Sequence, residues 1–268
     1  MRLWNPATGA CERILRYATD SGNFFYCLDW SPNGQQLACG TYRRGVQVFD
    51  LTKHYDGWTE YSTPALIRQV VWNGDGTRLA GSAHDSAVYV WNTADGSVLH
   101  RLAGHRGTLT SVSWSPDGKC IASGSGDGPG GEWLVWDAQT GERLFALDAH
   151  PVNVREVAWG SSKMQLVSAG SDGVLRWWDV ATGVCLLVQQ AHRAQIQSLK
   201  RSPDGMTLAS CGEDGTIKLW DTATGAPLRT LRRDRPYERM NILGIVGMTD
   251  AQRKSLIALG AVERSRLA

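Results

Sequence analysis

Three side chains that could form a hydrolase triad occur together in the last third of the sequence. In such an enzyme Ser210 would be the nucleophile, His192 the general base and Asp214 the acid that orients the histidine. Ser210 lies in an apolar run that predicts a strand, and the sequence around it has neither a strand-to-helix elbow nor an evident oxyanion hole. We therefore predict a buried hydrogen-bond network and no catalytic residues.

Two further motifs resemble ligand-binding loops. Gly126, Gly128 and Gly131 form a GxGxxG pattern. A pyrophosphate site needs a helix after these glycines, whereas Trp133–Trp136 predicts a strand. Residues 73–77 contain the Asn and Asp of a calcium loop, but the remaining ligands and the distal Glu are missing. We interpret both motifs as turns and predict no cofactor.

The cysteines give no indication of disulfides or of a zinc site, because none of them forms a CxxC pair. Several lie in predicted strands, which favours buried free thiols in a reducing compartment. We therefore predict no metal site and a cytoplasmic location. The cysteines are Cys11, Cys27, Cys39, Cys120, Cys185 and Cys211.

Length and composition are typical of a folded globular protein. The chain has 268 residues, of which 42% are hydrophobic and 20% are charged, enough for one large domain with a substantial core. A net charge of +2 argues against a dedicated nucleic-acid binder, so we predict no nucleic-acid partner. The sequence has no basic-then-apolar leader and no apolar run near membrane length, so we predict no membrane partner.

The twelve tryptophans are numerous for this length, and many of them recur with a fixed period. One series precedes turn segments and a second series closes strand-like segments, both at intervals of 42 or 45 residues. Two interleaved series with one period indicate a repeated four-stranded unit, which scattered tryptophans in a generic β core would not produce. The first series is Trp30, Trp72, Trp114 and Trp159, and the second is Trp4, Phe49, Trp91, Trp136, Trp178 and Trp220.

The clearest repeat spans residues 191–221. Two apolar runs, 196–199 and 206–210, flank Ser-Pro-Asp-Gly at 202–205, which predicts a hairpin. Thr216–Trp220 alternates β-branched and aromatic residues with polar ones, as a half-buried strand requires. The Ala-His start, the SPDG turn, the EDG turn and the closing LWD stand in the order typical of WD repeats. This stretch therefore resembles the WD-repeat family.

The resemblance implies an all-β fold, a WD40 β-propeller with five full four-stranded blades plus half a blade. The repeats end near residues 5, 50, 92, 137, 179 and 221, and a final outer strand extends the propeller to residues 1–231. We expect an incomplete or open ring, in which an unpaired blade edge invites pairing with another chain. Residues 232–268 form a C-terminal tail, in which Thr249 and Asp250 predict the start of a short helix.

The family carries a hydrogen-bonded tetrad of His, Ser, Asp and Trp, and three repeats have all four residue types. Repeat one has Cys39, Arg43 and Phe49 at the matching positions, which predicts a softer blade, and repeat two has Gly81 at the serine position. The structural tetrads that the resemblance implies are His105, Ser123, Asp127 and Trp136; His150, Ser168, Asp172 and Trp178; and His192, Ser210, Asp214 and Trp220.

The family binds partners mostly through loops that enter the first strand of each blade and turns between the second and third strands. The resemblance therefore implies a non-catalytic protein-protein interaction scaffold whose partners are other proteins. Aromatic and Arg side chains on these loops are suited to anchor an interface. The candidate partner-binding residues are Tyr42, Arg43, His84, Arg106, Glu132, Asn153, Arg193 and Glu213.

The tail suggests an alternative function. Residues 236–261 are similar to the C-terminal tail that follows the propellers of bacterial STAND-type signalling NTPases. This likeness implies that the chain is the sensor part of such an NTPase, with the nucleotide-binding domain upstream. The chain itself contains no GxxxxGK[ST] phosphate-binding motif.

Overall fold

Five four-stranded antiparallel sheets and one two-stranded sheet make up the computed structural model, and a single helix occurs in its described residues. The predicted fold class is confirmed: the protein is an all-β propeller of five four-stranded blades with a short C-terminal helix. The structure describes residues 1–15, 24–42, 45–53, 57–126, 130–162, 165–232, 240–245, 247–259 and 261–263.

Consecutive strands pair within each blade, so every blade is a four-stranded antiparallel meander. Blade one consists of β3 (Phe25–Trp30), β4 (Gln36–Thr41), β5 (Val46–Asp50) and β6 (Trp58–Tyr61). Blade two consists of β7 (Ile67–Trp72), β8 (Arg78–Ala83), β9 (Ala87–Asn92) and β10 (Val98–Ala103). Blade three consists of β11 (Leu109–Trp114), β12 (Cys120–Ser125), β13 (Gly131–Asp137) and β14 (Arg143–His150). Blade four consists of β15 (Val154–Trp159), β16 (Gln165–Gly170), β17 (Val174–Asp179) and β18 (Cys185–Gln190). Blade five consists of β19 (Ile196–Arg201), β20 (Thr207–Gly212), β21 (Thr216–Asp221) and β22 (Pro227–Arg232).

A two-stranded sheet precedes blade one. Its strands β1 (Arg2–Trp4) and β2 (Cys11–Ile14) are antiparallel. Leu15, directly after β2, is buried in a cluster with Leu37 and Phe49 of blade one. The pair therefore packs on the second and third strands of blade one, where the outer half of a sixth blade would lie.

Each blade buries an apolar face against the next blade. Between blades one and two, Val48 and Tyr61 pack in one cluster with Leu79 and Trp91. Similar clusters join blade two to three, three to four and four to five. These four clusters lie between adjacent blades, so most of the core is distributed over the gaps between blades.

Three members of the first tryptophan series link neighbouring blades, because their indole N–H groups donate hydrogen bonds to carbonyl oxygens in the first strand of the preceding blade. The bonds run from Trp72 to Asp29 (3.2 Å), from Trp114 to Val71 (3.1 Å) and from Trp159 to Ser113 (3.1 Å). The period of this series therefore reflects contact between blades as well as packing within them. In blade five Arg201 occupies the same position.

The ring has an open seam between blade five and blade one. Strands β3, β7, β11, β15 and β19 pack on one another in that order, but no comparable packing joins β19 to β3 within the described residues. Leu28 and Trp30 on β3 are therefore 54% and 45% exposed, whereas Val70 and Trp72 at the matching positions of β7 are 2% and 7% exposed. Blade one thus lacks an inner neighbour on one side.

The tail contains the helix α1 (Asp250–Ala258), and the predicted helix start is confirmed. Thr249 caps the helix by accepting a hydrogen bond from the Gln252 backbone N–H, and the Gln252 side chain accepts one from the Thr249 backbone N–H. Within the described ranges, no helix combines the length and apolar character needed to cross a bilayer.

Alanine substitutions at the same repeat position in two blades compare a side chain that a neighbouring blade covers with one that no blade covers. Val70→Ala is expected to lower the free energy of unfolding by about 2 kcal/mol, because Val70 is buried between blades. Leu28→Ala removes a larger side chain but is expected to change stability by less than about 0.5 kcal/mol, because Leu28 is exposed. Urea unfolding of both variants checks this, and a larger loss for Leu28→Ala would contradict the open seam.

Candidate functional site

Blade five contains the predicted His, Ser, Asp and Trp side chains in one continuous network. The His192 Nδ1–H donates to Asp214 Oδ1 at 3.0 Å, and Nε2 lies 2.7 Å from Ser210 Oγ. With Nδ1 protonated, Nε2 accepts the hydroxyl proton of Ser210. The indole N–H of Trp220 then donates to Ser210 Oγ at 2.9 Å. The network ties the loop before β19 to β20 and β21.

Asp214 is positioned by its own turn. Burial alone would raise its pKa, but hydrogen bonds from Thr216, the Arg193 backbone N–H and His192 outweigh burial and hold the pKa well below the usual range. The carboxylate is therefore charged at neutral pH and serves as an acceptor that fixes the turn to the histidine.

Blade three has a similar network, but a different acid contacts the histidine. His105 Nδ1 lies 2.9 Å from Glu132 Oε1, and Nε2 lies 2.6 Å from Ser123 Oγ, which also accepts from Trp136 Nε1 at 2.8 Å. Glu132 also accepts the backbone N–H of Arg106 at 2.6 Å. Asp127, assigned to this tetrad from the sequence, lies outside the described residues. Glu132, assigned to the exposed partner-binding surface, is instead buried inside the blade.

Blade four retains the histidine, serine and tryptophan, but Asp172 is engaged elsewhere. His150 Nε2 lies 2.9 Å from Ser168 Oγ, and Trp178 Nε1 donates to the same oxygen at 2.8 Å. His150 Nδ1–H donates to the carbonyl oxygen of Val152 at 2.6 Å. Asp172 forms an ion pair with Arg176 at 2.6 Å, because this arginine on β17 competes for the carboxylate.

Blade two shows the consequence of a missing serine. Gly81 occupies the serine position, and a Cβ there would lie 2.8 Å from the Trp91 ring, so the indole fills the space of the absent hydroxyl. The buried Trp91 Nε1 has no hydrogen-bond partner among the described residues. In blade one, Cys39 and Phe49 are buried in an apolar cluster, while Arg43 lies outside the described residues.

These networks are unsuited to nucleophilic catalysis. The three serine side chains, Ser123, Ser168 and Ser210, are completely buried, and each hydroxyl oxygen already accepts an indole N–H. A substrate would have to displace the tryptophan and enter the blade to reach the oxygen. The arrangement can satisfy buried polar groups and hold loops in place.

A hydrogen bond repeated once in every blade shows which loops share one end of the propeller. In each case a backbone N–H in the turn between the second and third strands donates to a carbonyl oxygen in the loop that enters the first strand. The pairs are Tyr42 and Phe24 (3.0 Å), His84 and Leu66 (2.9 Å), Gly126 and Thr108 (3.2 Å), Ser171 and Asn153 (3.0 Å), and Glu213 and Gln195 (3.0 Å). We call the surface formed by these loops and turns the loop face.

Most of the remaining candidate partner-binding residues lie exposed on the loop face. Asn153 is half-buried, and its carbonyl oxygen holds Ser171. The Glu213 carboxylate accepts a hydrogen bond from Gln197 at the start of β19. The exposed members are Tyr42, His84, Arg106, Arg193 and Glu213.

The sequence-based assignment missed aromatic and basic residues beside these loops. Tyr26 is exposed and stacks on Tyr42, with ring centroids 6.1 Å apart and planes inclined by 24°. Arg68 and Arg155 hold the same second position in β7 and β15, and with Tyr26 they line a central cavity of about 590 Å³. The predicted binding residues all came from loops. The second residue of each first strand follows an entry loop closely, however, and lines the cavity in all five blades.

A polar cluster crosses the central cavity. The buried Glu156 of blade four accepts the side-chain amide of Gln69 from blade two at 2.7 Å and the Lys200 ammonium of blade five at 2.6 Å. Its second oxygen accepts the backbone N–H of Leu199 at 2.6 Å. Gln69 also accepts the backbone N–H of Val112, so the first strands of blades two, three, four and five are connected through one glutamine and one glutamate.

Four-stranded units that depend on their neighbours for a core define this protein as a β-propeller built from sequence repeats. The family model described as "WD domain, G-beta repeat" matches residues 10–50, 52–92, 96–128, 141–179 and 183–221. The chain therefore belongs to the WD40-repeat family. The third match ends at residue 128, shortly before β13 begins.

Several curated proteins are similar to part of the chain. The mouse F-box-like/WD repeat-containing protein TBL1X is 27% identical over 152 residues, which are 50% of this chain and 27% of that protein. Protein lethal(2)denticleless of Drosophila melanogaster is 32% identical over 50% of this chain and 19% of its own length. Human echinoderm microtubule-associated protein-like 4 is 33% identical over 53% and 14%, respectively. The chain thus spans less than a third of each relative.

These relatives support a WD-repeat interaction scaffold at a coarse level. None of the three is named as a STAND-type NTPase, so the alternative drawn from the tail has no support here and its likeness stays a prediction.

Removing one buried hydroxyl from each of two blades tests the network. Ser210→Ala is expected to cost about 2 kcal/mol of unfolding free energy, because Trp220 Nε1 and His192 Nε2 both lose their partner. Ser82→Ala is the matched control, since Ser82 is equally buried but its hydroxyl has no hydrogen-bond partner among the described residues. The control should change stability by less than about 0.5 kcal/mol in urea unfolding. Equal losses would argue against the network.

His150 makes stability depend on pH. Burial lowers its pKa from 6.5 to about 4, helped by the nearby Arg176 and opposed by the hydrogen bond to Val152 and the charge of Asp172. The unfolded state therefore binds more protons than the folded state between pH 4 and pH 6.5, so stability falls as the pH falls through this window.

We expect a loss of roughly 2–3 kcal/mol from this residue between pH 7 and pH 4, measured by urea unfolding at several pH values. His150→Gln should be less stable at pH 7 but should show a shallower pH dependence. An unchanged slope in that variant would exclude His150 as its source.

Proposed function

We propose that this chain is a non-catalytic scaffold that binds other proteins through the loop face. The main observation in support is that five of the eight candidate residues are exposed on this face, while buried networks in blades three, four and five hold the loops beneath them. In blade five, for example, the Asp214 carboxylate accepts the backbone N–H of Arg193, so the backbone is fixed and the side chain stays exposed. A rigid backbone with exposed anchors reduces the entropy lost when a partner binds.

Aromatic side chains supply the apolar part of the proposed contact. Phe24 and Tyr26, on either side of the partly buried Phe25, are both exposed, and Tyr42 stacks on Tyr26. Large aromatic rings that remain exposed on a rigid surface are the type of residue that dominates protein-protein interfaces. We therefore place the partner over blade one and the adjoining cavity mouth.

Charge favours a partner with acidic side chains. Arg68 and Arg155 line the cavity, and Arg106 and Arg193 are exposed on the surrounding loops. Guanidinium groups bind carboxylates by paired hydrogen bonds and also stack on aromatic rings. A protein segment that combines acidic and aromatic residues fits both features, and neither nucleic acid nor a membrane is part of this proposal.

We also propose that the tetrads have a structural role and that the chain has no catalytic activity. We assign residues 1–231 to the binding propeller and residues 232–268 to a separate tail. A cytoplasmic location is consistent with free cysteines: burial raises the pKa of both Cys27 and Cys39 to about 12, so these thiols stay protonated and unreactive.

Strand pairing through an open blade edge is a second mode of contact that we propose. The strand concerned is β1, which pairs with β2 on one side and has no second partner among the described strands. An unpaired edge retains backbone donors and acceptors that another strand can use.

A variant with Tyr42, His84, Arg106 and Arg193 all changed to alanine tests the loop face. Partners captured by the unmodified chain from its native cell extract, and identified by mass spectrometry, should be lost or reduced at least about tenfold, because these side chains include the aromatic and Arg anchors.

The matched control changes exposed residues at the other end of the blades, where the first and second strands are joined: Lys119→Ala with Met206→Ala. Partner recovery should stay unchanged in this control. Equal recovery by both variants would remove the loop face from the proposal, whereas loss in the control alone would move the binding surface to the opposite end.

A further inference from the structure

We propose that the open seam is a binding site for a β-hairpin with the pattern of the first two strands of a WD repeat. The hairpin would pair with the free edge of β1 and lie between β19 and β3. It would complete the blade whose outer half is formed by β1 and β2. This site is separate from the loop face.

The contacts between the other blades show which kind of strand the open seam can accommodate. At the fourth position of the first strand, Val70, Val112, Val157 and Leu199 are all almost completely buried by the preceding blade. Leu28 has the same position in β3 and is more than half exposed. The exposed apolar surface of blade one is thus the kind of surface that a first strand and a second strand cover elsewhere in the ring.

Hydrogen bonds from backbone N–H groups to side chains of the neighbouring blade further restrict which ligand can occupy the seam. A polar side chain at the third position of a first strand accepts the N–H of the fourth residue in the next first strand. These bonds join Gln69 to Val112 (2.7 Å), Ser111 to Val157 (3.0 Å) and Glu156 to Leu199 (2.6 Å). At the seam, the matching N–H is that of Leu28, and the indole N–H of the exposed Trp30 lacks the carbonyl acceptor that Trp72, Trp114 and Trp159 have among the described residues. An incoming first strand supplies both acceptors, whereas a purely apolar ligand supplies neither.

The other side of the seam offers the complementary acceptor. Ser198 has the third position in β19, corresponding to Ser111 and Glu156, and its hydroxyl makes no hydrogen bond to a described residue. The face of blade five is also uncovered, since Ile217 is 42% exposed whereas Leu175, its counterpart in blade four, is fully buried. A first strand placed between β19 and β3 would therefore have neighbours on both sides.

The two-stranded sheet indicates how many strands the proposed ligand must contribute to complete a blade. In all five complete blades the third strand pairs with both the second and the fourth, but β1 pairs only with β2 among the described strands. Trp4 ends β1 as Trp220 ends the corresponding segment of β21, yet Trp4 is 55% exposed and Trp220 is buried. Two strands, added next to β1, restore the four-stranded arrangement and cover Trp4.

Repeat five provides a matched probe. Residues 191–216 comprise its entry loop, its first two strands and the turn that leads to its third strand, whose sequence Ile-Lys-Leu-Trp-Asp aligns with Met-Arg-Leu-Trp-Asn at residues 1–5. A chain extended before Met1 by a copy of residues 191–216 therefore presents the hairpin to β1 in the register of a repeat. The copy contains no tryptophan, so it adds no indole signal.

We expect the extended chain to be monomeric, to melt at least about 5 °C higher than the original chain, and to shield Trp30 from acrylamide. The Trp30 signal is obtained as the difference between each protein and its Trp30→Phe variant. Leu28→Ala should lower the melting temperature of the extended chain by several degrees while leaving that of the original chain nearly unchanged. A scrambled extension of the same composition controls for added length.

Three results would overturn the inference. An extension that is removed by protease, with Trp30 quenched as in the original chain, would show that the hairpin does not bind the seam. Stabilisation that is insensitive to Leu28→Ala would show that it binds elsewhere. If the original chain forms a dimer in light scattering, and the extension neither dissociates it nor shields Trp30, a second copy of the chain occupies the seam instead.

Discussion

A blade of this protein can bury its two apolar faces only against other blades, and most of the architecture follows from that dependence. Val167 and Leu175 of blade four are fully buried because Ile196 and Leu208 of blade five pack in the same cluster. Blade five repeats the same pattern, but the outward face has no successor, and Ile217 remains exposed. Identical positions therefore differ in burial according to their place in the ring.

In blades three, four and five, the histidine, serine and tryptophan form a constant set, while the acid varies. The indole reaches the serine from the third strand, whose register against the second strand is fixed by backbone pairing, as with Ser168 opposite Arg176 and Leu166 opposite Trp178. The acid comes from a turn or strand start, where length and local competitors differ. Asp214, Glu132 and the Asp172–Arg176 pair are three outcomes of that freedom. The hydrogen bonds to the serine thus stabilise the strands of the blade, whereas the acid holds the particular loop in place.

The sequence predicted the repeated strands, their order and the short helix because these depend on patterns with a fixed period. The resemblance to the WD-repeat family also implied that His192 and Asp214 lie together, and the two side chains are 3.0 Å apart. It did not place Glu132 beside His105, because Glu132 lies in the third strand and not in the turn where the resemblance locates the acid. Nor did it identify Arg176 as the partner of Asp172. Cross-strand competition between side chains leaves no periodic signal, so only three-dimensional proximity reveals it.

Stability is expected to be uneven around the ring, and this affects binding. Blade one lacks the serine-centred network, contains the buried Gln47 amide without a partner among the described residues, and exposes Leu28 to solvent. The same blade carries the stacked Tyr26 and Tyr42 of the loop face. A partner bound over this blade, as proposed above, would therefore stabilise the blade that lacks the serine-centred network, because a ligand that binds only the folded blade shifts the local unfolding equilibrium toward the folded state.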